Sequence, residues 1–160
     1  MKRLIILFGL LLLLGQCSIR RENGVDEKTK DENPKLIIDI RTLINKNSIE
    51  VEKLLGKPDK SEEVNGYPCK NANCIRNYYQ TGKYEIIYKR KLADRITINK
   101  VDPLVMHESL IQTLGLEYKQ PTFYNPESVI RWVNIENINE IGFYGYNKLE
   151  YILIQVTDPN

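Results

Sequence analysis

Residues 84–99 read YEIIYKRKLADRITIN. Tyr84, Ile86 and Tyr88 alternate with Glu85, Ile87 and Lys89, and Ile96 and Ile98 alternate with Arg95, Thr97 and Asn99. A period of two marks a strand with one buried face. Two such runs around a turn near residues 91–93 predict an antiparallel hairpin, because antiparallel strands can pack one face on a core and leave the other to water. A shorter strand over 75–80, broken by Thr81 and Gly82, precedes the hairpin and extends it to a meander. A weaker strand near 62–65 stands at its start.

Upstream, Leu36, Ile37, Ile40, Leu43 and Ile44 recur at helical spacing, with Asp39, Arg41 and Asn45 between them. They predict an amphipathic helix. Asn47 or Ser48 then offers an N-cap, and Glu50 lies three residues after Asn47 in capping-box position. A second helix is expected over about 49–55, stopped by Gly56 and Pro58. Two short helices joined by a tight turn would form a helical hairpin. Downstream, Asp102 and Pro103 predict the opening of a further helix. Its apolar face would hold Leu104, Val105, Leu110, Ile111 and Leu114, and Gly115 would end it. His107 falls beside that face with no evident partner, which suits an edge or surface histidine. Residues 116–127 read as loop. Strands follow at about 129–134, 139–144 and 149–156. The last is apolar on both faces, as a central strand would be, or one covered on both sides. The predicted class is α+β: a helical hairpin plus a further helix on one face of an antiparallel sheet, in a single domain over 34–160.

The chain also echoes itself. Leu55-Gly56 with Pro58 parallels Leu114-Gly115 with Pro121, and Ile75-Arg76 parallels Ile130-Arg131. Asp94, Ile96 and Ile98 precede Glu150, Ile152 and Ile154 by a constant interval, as Tyr88 precedes Tyr144. One reading is a tandem module of helix plus three strands, with halves 34–101 and 102–160. The other is chance likeness between two hairpins.

The first residues fix an address. Lys2 and Arg3 precede an unbroken apolar run, Leu4 to Leu14, and then Gly15, Gln16 and Cys17. A basic start, a short apolar core and small residues are the layout of a secretory signal. The run is well short of the roughly 20 residues that span a bilayer. The ending Leu14-Gly15-Gln16-Cys17 resembles the lipobox of bacterial lipoproteins; the resemblance implies that residues 1–16 leave as a signal peptide and that Cys17 is the lipidated first residue, with another exported form and an uncleaved anchor as the alternatives. Residues 18–33 carry mixed charge and two isolated apolar side chains, Ile19 and Val25. They cannot bury enough surface to offset their ordering entropy and read as a flexible tether.

The whole chain has 23 Lys and Arg against 21 Asp and Glu, and Lys2 and Arg3 account for the difference. A neutral mature chain gives no case for nucleic acid, which requires a basic face. With Cys17 taken by lipid, Cys69 and Cys74 remain as an even pair in an oxidising space, where a disulfide persists. Free thiols are the alternative, and two cysteines are half of a zinc set, with the single histidine far off in sequence. No metal or cofactor is expected. Nor is catalysis: Glu62-Glu63 is an adjacent carboxylate pair in a charged run, an environment that does not separate two pKa values. No nucleophile turn, phosphate loop or dinucleotide fingerprint occurs.

Residues 47–59, NSIEVEKLLGKPD, followed by aromatic-rich antiparallel strands, resemble the helix-to-glycine-proline segment of the BamE/SmpA-like lipoproteins. In that pattern the first helix–helix turn carries glycine; here Asn45, Lys46 and Asn47 stand in. Those proteins share a helical-hairpin-plus-sheet fold with the β-lactamase inhibitory proteins, which carry it in tandem. The resemblance implies an exported, lipid-anchored module that binds proteins, in the outer membrane facing the periplasm, and serves envelope assembly or maintenance. The alternative function is an inhibitor or immunity protein against a secreted hydrolase or toxin. An aromatic patch drawn from Tyr67, Tyr78, Tyr79, Phe123 and Tyr124 would favour that alternative, since such residues anchor interfaces.

Overall fold

The computed structural model describes residues 34–158. They include eight strands: β1 (Lys60–Gly66), β2 (Lys70–Tyr79), β3 (Tyr84–Lys89), β4 (Leu92–Ile98), β5 (Phe123–Asn125), β6 (Val129–Ile135), β7 (Ile138–Tyr144) and β8 (Tyr151–Val156). They form one sheet in the order β1-β2-β3-β4-β8-β7-β6-β5, and every neighbouring pair is antiparallel. Described helix is confined to α1 (Ser48–Leu55) and two 3₁₀ segments, Ile40–Thr42 and Glu108–Leu114. The protein is mainly β. This corrects the α+β expectation and removes its helical hairpin.

Tertiary hydrogen bonding explains both missing helices. At 36–44 the backbone N–H groups of Ile37 and Ile38 both donate to the Thr113 carbonyl, and Asp39 is extended at φ −79° and ψ 106°, which interrupts any helix through the segment. Asp39 then caps a single 3₁₀ turn by accepting from Arg41 N. Arg41 is held across the molecule by the Gly115 carbonyl and Glu136. At 102–106, Leu104 accepts from Leu149 N, Met106 N donates to the Asn147 carbonyl, and Val105 bridges Lys148. The backbone there runs as an extended partner of the β7–β8 turn. Helix begins only after His107, which is exposed and caps Ser109 N through Nδ1.

α1 forms where its local signals place it. Asn47 Oδ1 accepts from Glu50 N, and the Glu50 carboxylate accepts from Asn47 N, a reciprocal cap worth about 1 kcal/mol. Gly56 ends it at φ +86°.

The helical segments all pack on one face of the sheet. Ile40, Leu43, Val51, Leu55, Leu110, Ile111 and Leu114 join one core with Ile86, Ile96, Ile98, Ile130, Trp132, Ile141, Phe143, Ile152 and Ile154. Trp132 lies edge-on to Phe143, ring centroids 5.4 Å apart, and its Nε1 donates to the Lys119 carbonyl at 2.7 Å. β8 is a central strand between β4 and β7. Its Ile152, Ile154 and Val156 face this core, while Tyr151, Leu153 and Gln155 alternate to the other side.

The strands fall into two meanders of four, β1–β4 and β5–β8, joined by β4 and β8. This replaces the expected helix-plus-three-strand halves. At the join, Ile96 lies opposite Ile154 and Ile98 opposite Ile152. Since Ile96 echoes Ile152 and Ile98 echoes Ile154, the pairing is that of an approximate two-fold. Arg76 and Arg131 also match: each points away from the helices and meets a glutamate of the next strand, Glu85 at 3.0 Å and Glu140 at 3.3 Å. The proposed match of Tyr88 with Tyr144 fails. Tyr88 is in the main core, whereas Tyr144 stacks on Tyr151 on the opposite face.

Candidate functional site

The face of the sheet turned away from the helices is the candidate surface. One side chain per strand lies in register across it: Phe123, Arg131, Gly142, Leu153, Thr97, Glu85, Tyr78 and Lys60, from β5 to β1. Eight strands at about 4.8 Å spacing make this face about 34 Å wide, and strands of mostly six or seven residues, with β2 longer and β5 shorter, give it on the order of 700 Å².

Its two halves differ. On the β5–β8 side it carries aromatics beside the Arg131–Glu140 ion pair. The Tyr144 and Tyr151 rings are parallel with centroids 4.8 Å apart, and Phe123 is half exposed on the edge strand β5. Gly142 permits this arrangement, since a Cβ there would sit 2.5 Å from the Tyr144 ring. On the β1–β3 side it is ionic. Glu62 meets Lys60, Arg76 and the Tyr78 hydroxyl; Lys60, and after it Tyr78, hold the carboxyl below its ordinary range. Arg76 sits between Glu62 and Glu85. The Arg76 and Arg131 Nε contacts are ion pairs without hydrogen-bond geometry. Partly exposed pairs like these add little stability, but they fix a pattern of charge on the surface.

Between the halves the β1–β2 hairpin folds back over the sheet. Cys69 and Cys74 lie at disulfide distance, Cα atoms 6.0 Å apart, and form a small second core with Val64 and Ile87. Tyr67, just before a cis peptide bond to Pro68, stands over the Arg95 guanidinium at 4.9 Å from its ring centroid. Beneath this overhang is a groove of about 380 Å³ whose walls include Tyr67, Lys89, Asp94, Gln155 and Asp158. Lys89 and Arg90 both reach Asp158, at 2.9 and 3.3 Å; Lys89 above all draws the Asp158 carboxyl below its usual range. Burial pushes the Asp94 carboxyl up.

The five aromatics named from the sequence do not form one patch. Tyr79 is fully buried, Tyr67 and Phe123 are exposed on the open face, and Tyr124 faces the other side of the edge strand, opposite Ile130. The stacked pair Tyr144 and Tyr151 was missed, although strand alternation could have placed both on this face once β8 was known to be central. Glu62 and Glu63 are successive strand residues and point to opposite faces, so they do not act as a pair. Among the described residues no group of three or more His, Cys, Asp or Glu side chains is placed to hold a metal, and no helix is long and apolar enough to cross a membrane. Cys17, the signal segment and the tether lie outside the described residues.

Compared with known proteins, the sequence matches no family model, and no curated protein or solved structure is significantly similar to it.

Proposed function

We propose that the protein is a lipid-anchored, non-catalytic protein-binding module of the bacterial envelope, held through Cys17 at the outer membrane and facing the periplasm. Its working surface is the open sheet face. The observation that carries this reading is that face itself: about 700 Å², with a stacked tyrosine pair on one half and ordered ion pairs on both, and covered among the described residues only by the cystine hairpin. The size is near the roughly 800 Å² that each partner contributes to a stable protein–protein interface, and exposed tyrosines beside ordered charges suit such a contact. A photo-crosslinking residue at Leu153 should trap one protein partner in intact cells, and the same residue at Lys57 should not. Equal capture at both positions refutes the surface, and capture at neither refutes the reading. Labelling with a palmitate analogue should disappear in Cys17→Ser; label that persists refutes the anchor.

The inhibitor or immunity reading is favoured by one further observation, two helix-led meanders set side by side to make a single broad face. It requires that the protein trapped at Leu153 be a secreted hydrolase or toxin, and that adding the module lowers that protein's activity.

A further inference from the structure

β3 begins and β4 ends at the same end of the sheet, where Tyr84 pairs with Ile98 and Asn99 N donates to the Lys83 carbonyl at 2.7 Å. The described chain also starts at this end. Lys35 and Leu36, next to Pro34, line a cavity of about 160 Å³ together with Lys83, Lys100, Val101 and Leu104. Lys100 donates to the Thr81 carbonyl at 2.6 Å, and Lys83 lies 5.6 Å from the Tyr84 ring centroid. Among the described residues none of the three lysines has an acid within ion-pair distance. Asp102 is the single carboxylate among the residues lining the cavity, and Asp59, on the far side of Thr81, accepts from Thr81 N. Three cations against one anion leave the cavity positive. Apolar side chains stand in water around it: Leu36 is 55% exposed, and Val105, beside Leu104, is 71% exposed. Val105 bridges Lys148 in the β7–β8 turn, where Lys148 and Glu150 offset each other.

Unpaired ammonium groups around exposed apolar side chains match an anionic bilayer surface, with phosphates for the lysines and the acyl boundary for Leu36 and Val105. A free anion would leave the apolar side chains in water. The course of the chain points the same way. Cys17, the proposed anchor, precedes Pro34 by seventeen residues, and the chain enters the described fold at this cavity. α1 begins at the opposite end, where Ala93 N donates to the Lys46 carbonyl.

We infer that this end of the sheet is a seat on an anionic phospholipid bilayer, with Leu36 and Val105 at the acyl boundary and Lys35, Lys83 and Lys100 on lipid phosphates. The inference rests on the proposed membrane anchoring and takes nothing from the open face. Seated this way, the strands stand on end and the open face is turned sideways, free for a partner.

The test places the protein purified from cells on vesicles of phosphatidylcholine, alone or mixed with phosphatidylglycerol, whose brominated acyl chains quench nearby tryptophan. The natural Trp132 is fully buried, so Leu36→Trp adds a reporter at the seat and Ile49→Trp one at the opposite end. Leu36→Trp should be quenched strongly in the anionic vesicles and weakly in the neutral ones, and Ile49→Trp in neither. Adding Lys83→Gln and Lys100→Gln to Leu36→Trp should lower the ratio of seated to lifted domains about 30-fold, about fivefold for each lysine at about 1 kcal/mol. Asp102→Asn should raise it about fivefold, a gain that a damaged fold would not give. Retention on neutral vesicles reports the lipid anchor and the difference made by phosphatidylglycerol reports the seat, so either can fail alone. Equal quenching in the two kinds of vesicle, equal quenching at the two reporters, or no response to the charge changes would each overturn the seat. Release by inorganic phosphate at an ionic strength where chloride does not release it would overturn it too, and would make the cavity a free-anion site.

Discussion

Leu153 and Ile154 are neighbours on the central strand β8, and they test whether one sheet face is open. Ile154 is fully buried in the main core, directly opposite Ile96 on β4 and Ile141 on β7. Leu153 points the other way, between Thr97 and Gly142, and is half-buried. Ile154→Ala removes three carbons from a closed site. At about 0.8 kcal/mol per buried methylene this is about 2.4 kcal/mol of transfer free energy, and the residual cavity brings the expected loss into the range of about 2–5 kcal/mol. Leu153→Ala removes the same number of carbons, but they keep water contact in the native state and leave no enclosed cavity, so about 1 kcal/mol is expected. Urea denaturation followed by far-UV circular dichroism would measure both. Midpoints should separate clearly while the slopes stay equal, which shows that the change is in stability and not in the extent of unfolding. A Leu153→Ala loss as large as that of Ile154→Ala would refute the open face and, with it, the docking surface proposed above.

Three further outcomes are expected. Asn47→Ala removes the acceptor for Glu50 N and should cost about 1 kcal/mol, read as a drop in the thermal midpoint; an unchanged midpoint would mean that α1 is held by packing alone. Asp94→Asn tests the sign of a pH effect. Burial raises the folded-state pKa of Asp94, so folding takes up a proton on acidification, and the ionised form carries its full penalty at pH 7. The variant should therefore be more stable than the natural protein at neutral pH, and its advantage should shrink as pH falls through that raised pKa; an advantage that grows on acidification refutes the assignment. Replacing Cys69 and Cys74 together by serine should cost at most about 2 kcal/mol, since the loop they close is short, and the natural protein should gain the mass of two protons on reduction. No mass change would mean that the thiols are free.

The sequence by itself determined those elements whose signals are local. Strand alternation placed β3 and β4, the strands expected at about 129–134, 139–144 and 149–156 match β6, β7 and β8, and the capping box at Asn47 and Glu50 with the glycine at 56 placed α1. Each depends on residues a few positions apart. The short spacing and even count likewise singled out Cys69 and Cys74. Only the tertiary structure decided the rest. The apolar spacing at 36–44 was helical, but Thr113, far along the chain, took the backbone N–H groups of Ile37 and Ile38. The proline signal at 103 was overruled when residues 104–106 found extended partners at 147–149. β5 has three residues and becomes a strand only because β6 offers an edge. The candidate surface is further still from sequence: which face of β8 stays open depends on where α1 and the two 3₁₀ segments settle. Pairing partners, and the burial they impose, are properties of chain closure, so local patterns could name the strands but not the face they would leave uncovered.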